Sequence, residues 1–193
     1  MKKISIKKFL KYLLTVSSDK ISIETIPIEN HGPFAAPEWL VPTAIFAYIS
    51  KPYFDTFLKE MGKDHYNLLK KGFSYLYENV IGSNAPKLTV ITDSSSPNKI
   101  MKDNPYSLYF SITADSQTKL KFKLLIRKEC TFETYQETIN TFLDFLENYH
   151  NNKLDASFIE ELHKNHISKT ILVAYDTNTS MLKFLTMKDM ING

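Results

Sequence analysis

Residues 160–166, Glu-Glu-Leu-His-Lys-Asn-His, hold the densest set of side chains able to do chemistry. Glu160 and His163 are one helical turn apart, so a helix places both on one face. His166 lies just beyond and His150 a short way upstream. A carboxylate and imidazoles so arranged can hold a transition metal. A helical di-metal site needs two such Glu-x-x-His pairs and further carboxylates, so Glu160 and His163 supply at most half of one. The competing reading is a polar helix end, where cationic side chains suit the helix dipole. No cofactor is expected on this basis.

Cys130 is the only cysteine, so no intramolecular disulfide can form and a reducing, cytoplasmic setting is the simplest fit. It stands just before a predicted helix and two residues after Lys128, and either neighbour could lower a thiol pKa. A nucleophilic role also needs a base, and His163 could reach Cys130 only through the fold. Lys119, Lys121, Lys123 and Arg127 form a third group. At strand spacing they share one face, with Tyr109 across the ladder. Basic groups beside an aromatic can hold single-stranded nucleic acid by charge and stacking. Lysines on a wet strand face also keep a sheet soluble.

Composition decides between some of these. The formal charge is only +3, from 24 basic and 21 acidic residues, and Arg127 is the sole arginine. Guanidinium is the usual bidentate reader of phosphate and guanine, so its scarcity argues against nucleic acid as partner. With five glycines in 193 residues, a Gly-rich phosphate cradle is not available.

The stretch Glu38–Phe54, EWLVPTAIFAYISKPYF, is the most apolar and aromatic in the chain. Its uninterrupted apolar piece, from Trp39 to Ile49 with Pro42 inside it, is shorter than the roughly 20 residues that cross a bilayer. The pattern is read as a buried helix that is apolar nearly all round. Trp39, Phe46, Tyr48 and Tyr53 are the anchors such a helix would offer a protein partner or a second copy. A membrane surface is the other partner considered, aided by the Lys-rich segment ahead of it.

Elements to position these groups follow from periodicity. Ile6–Val16 reads as an amphipathic helix, and Lys20–Ile28 as a strand. Asp55–Ile81 has a helical pattern that Gly62 interrupts and Gly82 stops. Lys87–Thr92 reads as a strand. Residues 108–114 and 120–126 alternate apolar and polar around a short polar turn, the signature of a hairpin with one greasy and one wet face. Thr131 caps a helix whose stripe is Phe132, Tyr135, Ile139, Phe142, Leu146 and Tyr149. Asp155 caps a shorter helix, with Leu154 and Ile159 at staple positions. Ile171–Met187 closes the chain as a second hairpin around Asp-Thr-Asn-Thr.

The expected fold class is α+β: a mostly antiparallel sheet, two hairpins plus one or two further strands, covered by helices, with an N-terminal helical part. Residues 1–84 and 85–193 are its two parts, expected to form one compact unit. We read the chain as a non-enzymatic cytoplasmic protein-interaction module, of the kind that serves bacteria as accessory, immunity or defence proteins. A small enzyme using Cys130 or the histidines, and a protein peripheral to a membrane, are the alternatives.

Overall fold

The computed structural model of the chain describes residues 21–25, 45–54, 62–83, 85, 105–186 and 189. The expected helix over Ile6–Val16, the strand over Lys87–Thr92 and Trp39 lie outside them.

The described residues form an α+β structure with one six-stranded sheet. Its strands, β1 (Ile21–Thr25), β2 (Ile45–Ile49), β3 (Tyr106–Asp115), β4 (Lys121–Arg127), β5 (Thr170–Asp176) and β6 (Met181–Leu185), lie side by side in chain order. Between them come α1 (Gly62–Ser74), α2 (Tyr77–Val80), α3 (Phe132–His150) and α4 (Ala156–Lys164).

The sheet is mixed, which corrects the expectation of a mostly antiparallel one. β1–β2, β3–β4 and β5–β6 are antiparallel, while β2–β3 and β4–β5 are parallel. The cause lies in the connections. A tight turn reverses the chain, as between β3 and β4, whereas a helical excursion carries it back to start the next strand in the same direction. Helices occupy both gaps, 62–80 and 132–164, so each adds one parallel step.

The second correction concerns Glu38–Phe54. Its middle, Ile-Phe-Ala-Tyr-Ile, is not helix but strand β2, paired on both sides. A short run that is apolar throughout shows no alternation and cannot be assigned by periodicity, and β-branched and aromatic residues then favour the strand. Ala47 and Ile49 are wholly buried. A helical turn at 51–54 follows, with Tyr53 and Phe54 also in the core.

One face of the sheet carries the main core. Phe110, Ile112 and Ala114 of β3, Phe122, Leu124 and Ile126 of β4, and Ile171 and Val173 of β5 pack against Tyr135, Ile139, Phe142, Leu146 and Tyr149 of α3. The predicted α3 stripe is therefore the buried face, except Phe132, which is exposed in the first turn. Thr131 caps α3 by accepting the Thr134 N–H at 3.2 Å. Leu69, Phe73 and Leu76 complete the layer, and the Tyr135 hydroxyl donates to the Phe73 carbonyl at 3.0 Å. The opposite face holds a smaller cluster of Leu125, Leu172, Ala174 and Leu185.

Candidate functional site

Three of the chemically capable groups meet at one corner, where β3 ends, β4 starts and α3 finishes. Asp115 is its hub. Its Oδ2 accepts from the Tyr48 hydroxyl at 2.7 Å and from the Lys51 backbone N–H at 3.0 Å. The second bond ties down the start of the 51–54 helical turn, whose leading N–H groups lack internal partners. The Asp115 carbonyl lies 3.0 Å from His150 Nε2. A carbonyl only accepts, so His150 carries a hydrogen on Nε2. The same imidazole stacks on Phe54, with centroids 3.9 Å apart and planes within 5°. The Lys121 ammonium sits 4.9 Å from the centre of the Tyr48 ring.

The β3–β4 turn then closes the end of α3. Gln117 Nε2 donates to the carbonyls of Tyr149 and His150 and to Asn152 Oδ1, at 3.3, 3.3 and 3.0 Å. Its backbone N–H donates to the Tyr149 hydroxyl at 3.3 Å. That hydroxyl lies 2.8 Å from His163 Nε2. Having accepted from Gln117, it can give its own hydrogen to His163, which then keeps its proton on Nδ1. Burial holds the His163 imidazole below its ordinary pKa, which agrees with a neutral ring. Burial likewise raises the Tyr149 phenol. These bonds join β2, the hairpin turn, α3 and α4.

No family model, no curated protein and no solved structure matches this chain. What the molecule does has to be read from its own side chains.

The metal candidates are not brought together. Glu160 pairs with Lys164 at 2.7 Å, His166 is exposed, and His163 faces Tyr149. The same Glu-x-x-His spacing recurs at Glu147 and His150 on α3. Glu147 lies 3.9 Å from Lys153, while His150 is turned to the Asp115 carbonyl. Among the described residues no group of three or more His, Cys, Asp or Glu side chains could hold a metal ion.

Cys130 and the histidines are kept apart by α3 itself. Cys130 precedes its first turn and His150 closes its last, so a 19-residue helix separates them by about 28 Å at 1.5 Å per residue. His163 docks at the His150 end, so the proposed Cys130–His163 pairing does not form. The Cys130 thiol is half-buried, and burial pushes its pKa up while Arg127 opposes. Helix start and nearby cations therefore do not make it a thiolate.

The basic group divides. Lys119, Lys121 and Arg127 are exposed, but Lys123 is only 8% exposed, between Thr113 of β3 and Leu172 of β5. The expected wet face is thus a second buried face at Lys123 and Leu125. Burial lowers the Lys123 pKa to about 8. Of the partner-binding candidates, Tyr53 is 2% exposed inside the core and Tyr48 is half-buried on Asp115. Phe46 lies on β2, opposite Ser111, with its side chain outside the described residues.

A second surface, at the β6 end of the sheet, had no signal in the sequence. Met181 is 65% exposed and Phe158 37%. Phe158 packs edge-on against Phe184, which in turn contacts Phe145. Leu182 and Phe184 turn towards the main core, while Met181, Lys183 and Leu185 point the other way. Met181 and Phe158 therefore lie on opposite faces of β6, the last strand of the sheet. Among the described residues, no strand pairs with its outer edge. Lys183 sits at its centre, in a 2.7 Å ion pair with Asp189. No helix among the described residues is long and apolar enough to cross a membrane.

Proposed function

We propose that this chain is a non-enzymatic protein-interaction module that docks an extended segment of a partner protein along the outer edge of β6. The observation that carries this reading is the outer edge of β6, which no described strand pairs, on a strand with exposed Met181 on one face and Phe158 against Phe184 on the other. A strand added there gains main-chain hydrogen bonds from the edge and side-chain contacts from both flanks. Lys183 limits indiscriminate pairing, as charged residues do on natural sheet edges. The aromatic stretch around β2, the first expectation for this role, supports it less. Ala47, Ile49, Tyr53 and Phe54 are spent on the core of the chain itself. The separation of Cys130 from the histidines along α3 is the reason for preferring binding to catalysis.

The test uses a photo-crosslinking amino acid placed at 158 or 181 in the full chain inside its native cell, with position 164 as an exposed control on α4. The reading expects one discrete adduct from 158 and 181 and none from 164. Adducts from all three positions alike, or from none, overturn it. An adduct with a second copy of the chain would make the module self-associating and would remove the separate partner.

A further inference from the structure

One end of the sheet gathers lysines from four segments of the chain. Lys51 follows β2, Lys119 stands in the β3–β4 turn, Lys121 opens β4 and Lys169 precedes β5. All four are exposed. Strand pairing sets them nearly level. Ile49 is opposite Ala114, and Asp115 is opposite Lys121, which in turn faces Thr170. Direct bonds join the same places. The Lys51 N–H donates to Asp115 at 3.0 Å, and the Lys121 N–H donates to the Lys169 carbonyl at 2.9 Å. From β2 to β5 the row crosses three strand spacings, roughly 14 Å.

These four charges are not paired off. Lys70, Lys153, Lys164 and Lys183 each lie beside a carboxylate. Among the described residues, no carboxylate stands within ion-pair distance of Lys51, Lys119, Lys121 or Lys169. The acid within the row, Asp115, is engaged by the Tyr48 hydroxyl and the Lys51 N–H. Asp155 spends its carboxylate on the cap of α4, and Glu147 lies beside Lys153. Glu160 holds Lys164, which leaves Glu161 as the acid of α4 without a cation among the described residues.

The row lacks what a nucleic acid would use. Arg127 closes β4 at its other end. The ring within the row, Tyr48, is half-buried with the Lys121 ammonium over it. The exposed aromatic side chains, Tyr75, Phe132 and Phe158, lie on none of these segments, so bases would find nothing to stack on. Lysine ammoniums are compact, hydrated point charges, and a level row of them matches a plane of negative charge rather than one chosen group. We propose that this end of the sheet, through Lys51, Lys119, Lys121 and Lys169, rests on a lipid surface rich in anionic headgroups. The attraction is electrostatic, because no exposed large apolar side chain lies on these segments to insert. It uses a different part of the molecule from the β6 edge and stands whether or not that edge holds a partner.

Sedimentation of the full chain with lipid vesicles tests this. Vesicles of about one-third phosphatidylglycerol in phosphatidylcholine should carry the chain down at low salt, and pure phosphatidylcholine should not. Raising the salt to about 0.5 M should release it. Each lysine near such a surface is worth about fivefold in affinity, so K119Q combined with K169Q should weaken binding about twentyfold. K71Q combined with K128Q removes the same charge from exposed sites off the row, and should weaken binding by less than about threefold. Failure to bind the anionic vesicles at low salt, equal losses in the two double variants, or tighter binding to a single-stranded oligonucleotide than to the vesicles overturns the proposal. A chain that ignores the vesicles and still crosslinks from 158 and 181 would lose this surface and keep its docking edge.

Discussion

Replacing Lys123 by methionine should make the protein more stable, although it removes a charged side chain from the middle of a strand. Lys123 is 8% exposed on β4, and burial brings its pKa from an ordinary 10.5 down to about 8. Its ammonium is therefore worse off in the folded chain than in water, whatever contacts it makes. At about 1.36 kcal/mol per tenfold change in proton affinity, keeping it charged at neutral pH costs about 3 kcal/mol of folding free energy. Methionine keeps the stem and removes the charge, the kind of exchange that is stabilising by about 1–4 kcal/mol at buried ionic sites. For a chain of this size that is a rise in Tm of roughly 6–12 °C. The sign with pH follows from the lowered pKa. The unfolded lysine binds a proton that the folded one releases between pH 8 and 10.5, so the unmutated protein gains stability as pH rises through that window. The gap between K123M and the unmutated chain should shrink from about 3 kcal/mol near pH 7.5 to about half that near pH 9.5. Urea melts at both pH values measure it. A variant no more stable than its parent at the lower pH, or a gap that stays constant, would refute the claim that desolvation dominates at this site.

Three further outcomes follow from the geometry. Ser168 and Lys169 both adopt positive φ, 48° and 64°, in the two-residue turn closed by mutual 2.8 Å hydrogen bonds between Ile167 and Thr170. Asn-Gly fits such a turn, so S168N with K169G should stabilise by about 1 kcal/mol, read as a rise in urea midpoint at unchanged slope; a fall would contradict the assigned turn. A Cβ at Gly82 would lie 2.8 Å from the Glu78 Cα, so Gly82→Ala should destabilise by about 1–3 kcal/mol in the same assay, and a neutral result would show that the α2 end yields easily. With its pKa raised by burial, Cys130 should alkylate on the order of several-fold more slowly than free cysteine near neutral pH. A faster reaction would restore it as a nucleophile.

Much of the second half of the fold was legible residue by residue. The alternation in 108–114 and 120–126, the caps at Thr131 and Asp155, and the turn after Tyr175 are local signals, and β3, β4, α3, α4, β5 and β6 follow them closely. Such signals act within one turn or one hairpin, where sequence spacing and spatial spacing are the same thing. They fail where a short run is apolar throughout and so shows no alternation, which is why Ile45–Ile49 could pass for a helix. The corner at Asp115 was not legible, because its partners Tyr48 and His150 stand 67 and 35 residues away.

By itself, then, the sequence determined an α+β chain with its hairpins, its capped helices and the buried stripe of α3, because backbone preference and apolar periodicity are short-range. Tertiary structure alone decided that the sheet is mixed, that Lys123 is buried while Lys121 is not, and that α3 holds Cys130 far from His163. Those facts depend on which surfaces meet across the sheet, and no stretch of sequence carries both sides of such a contact.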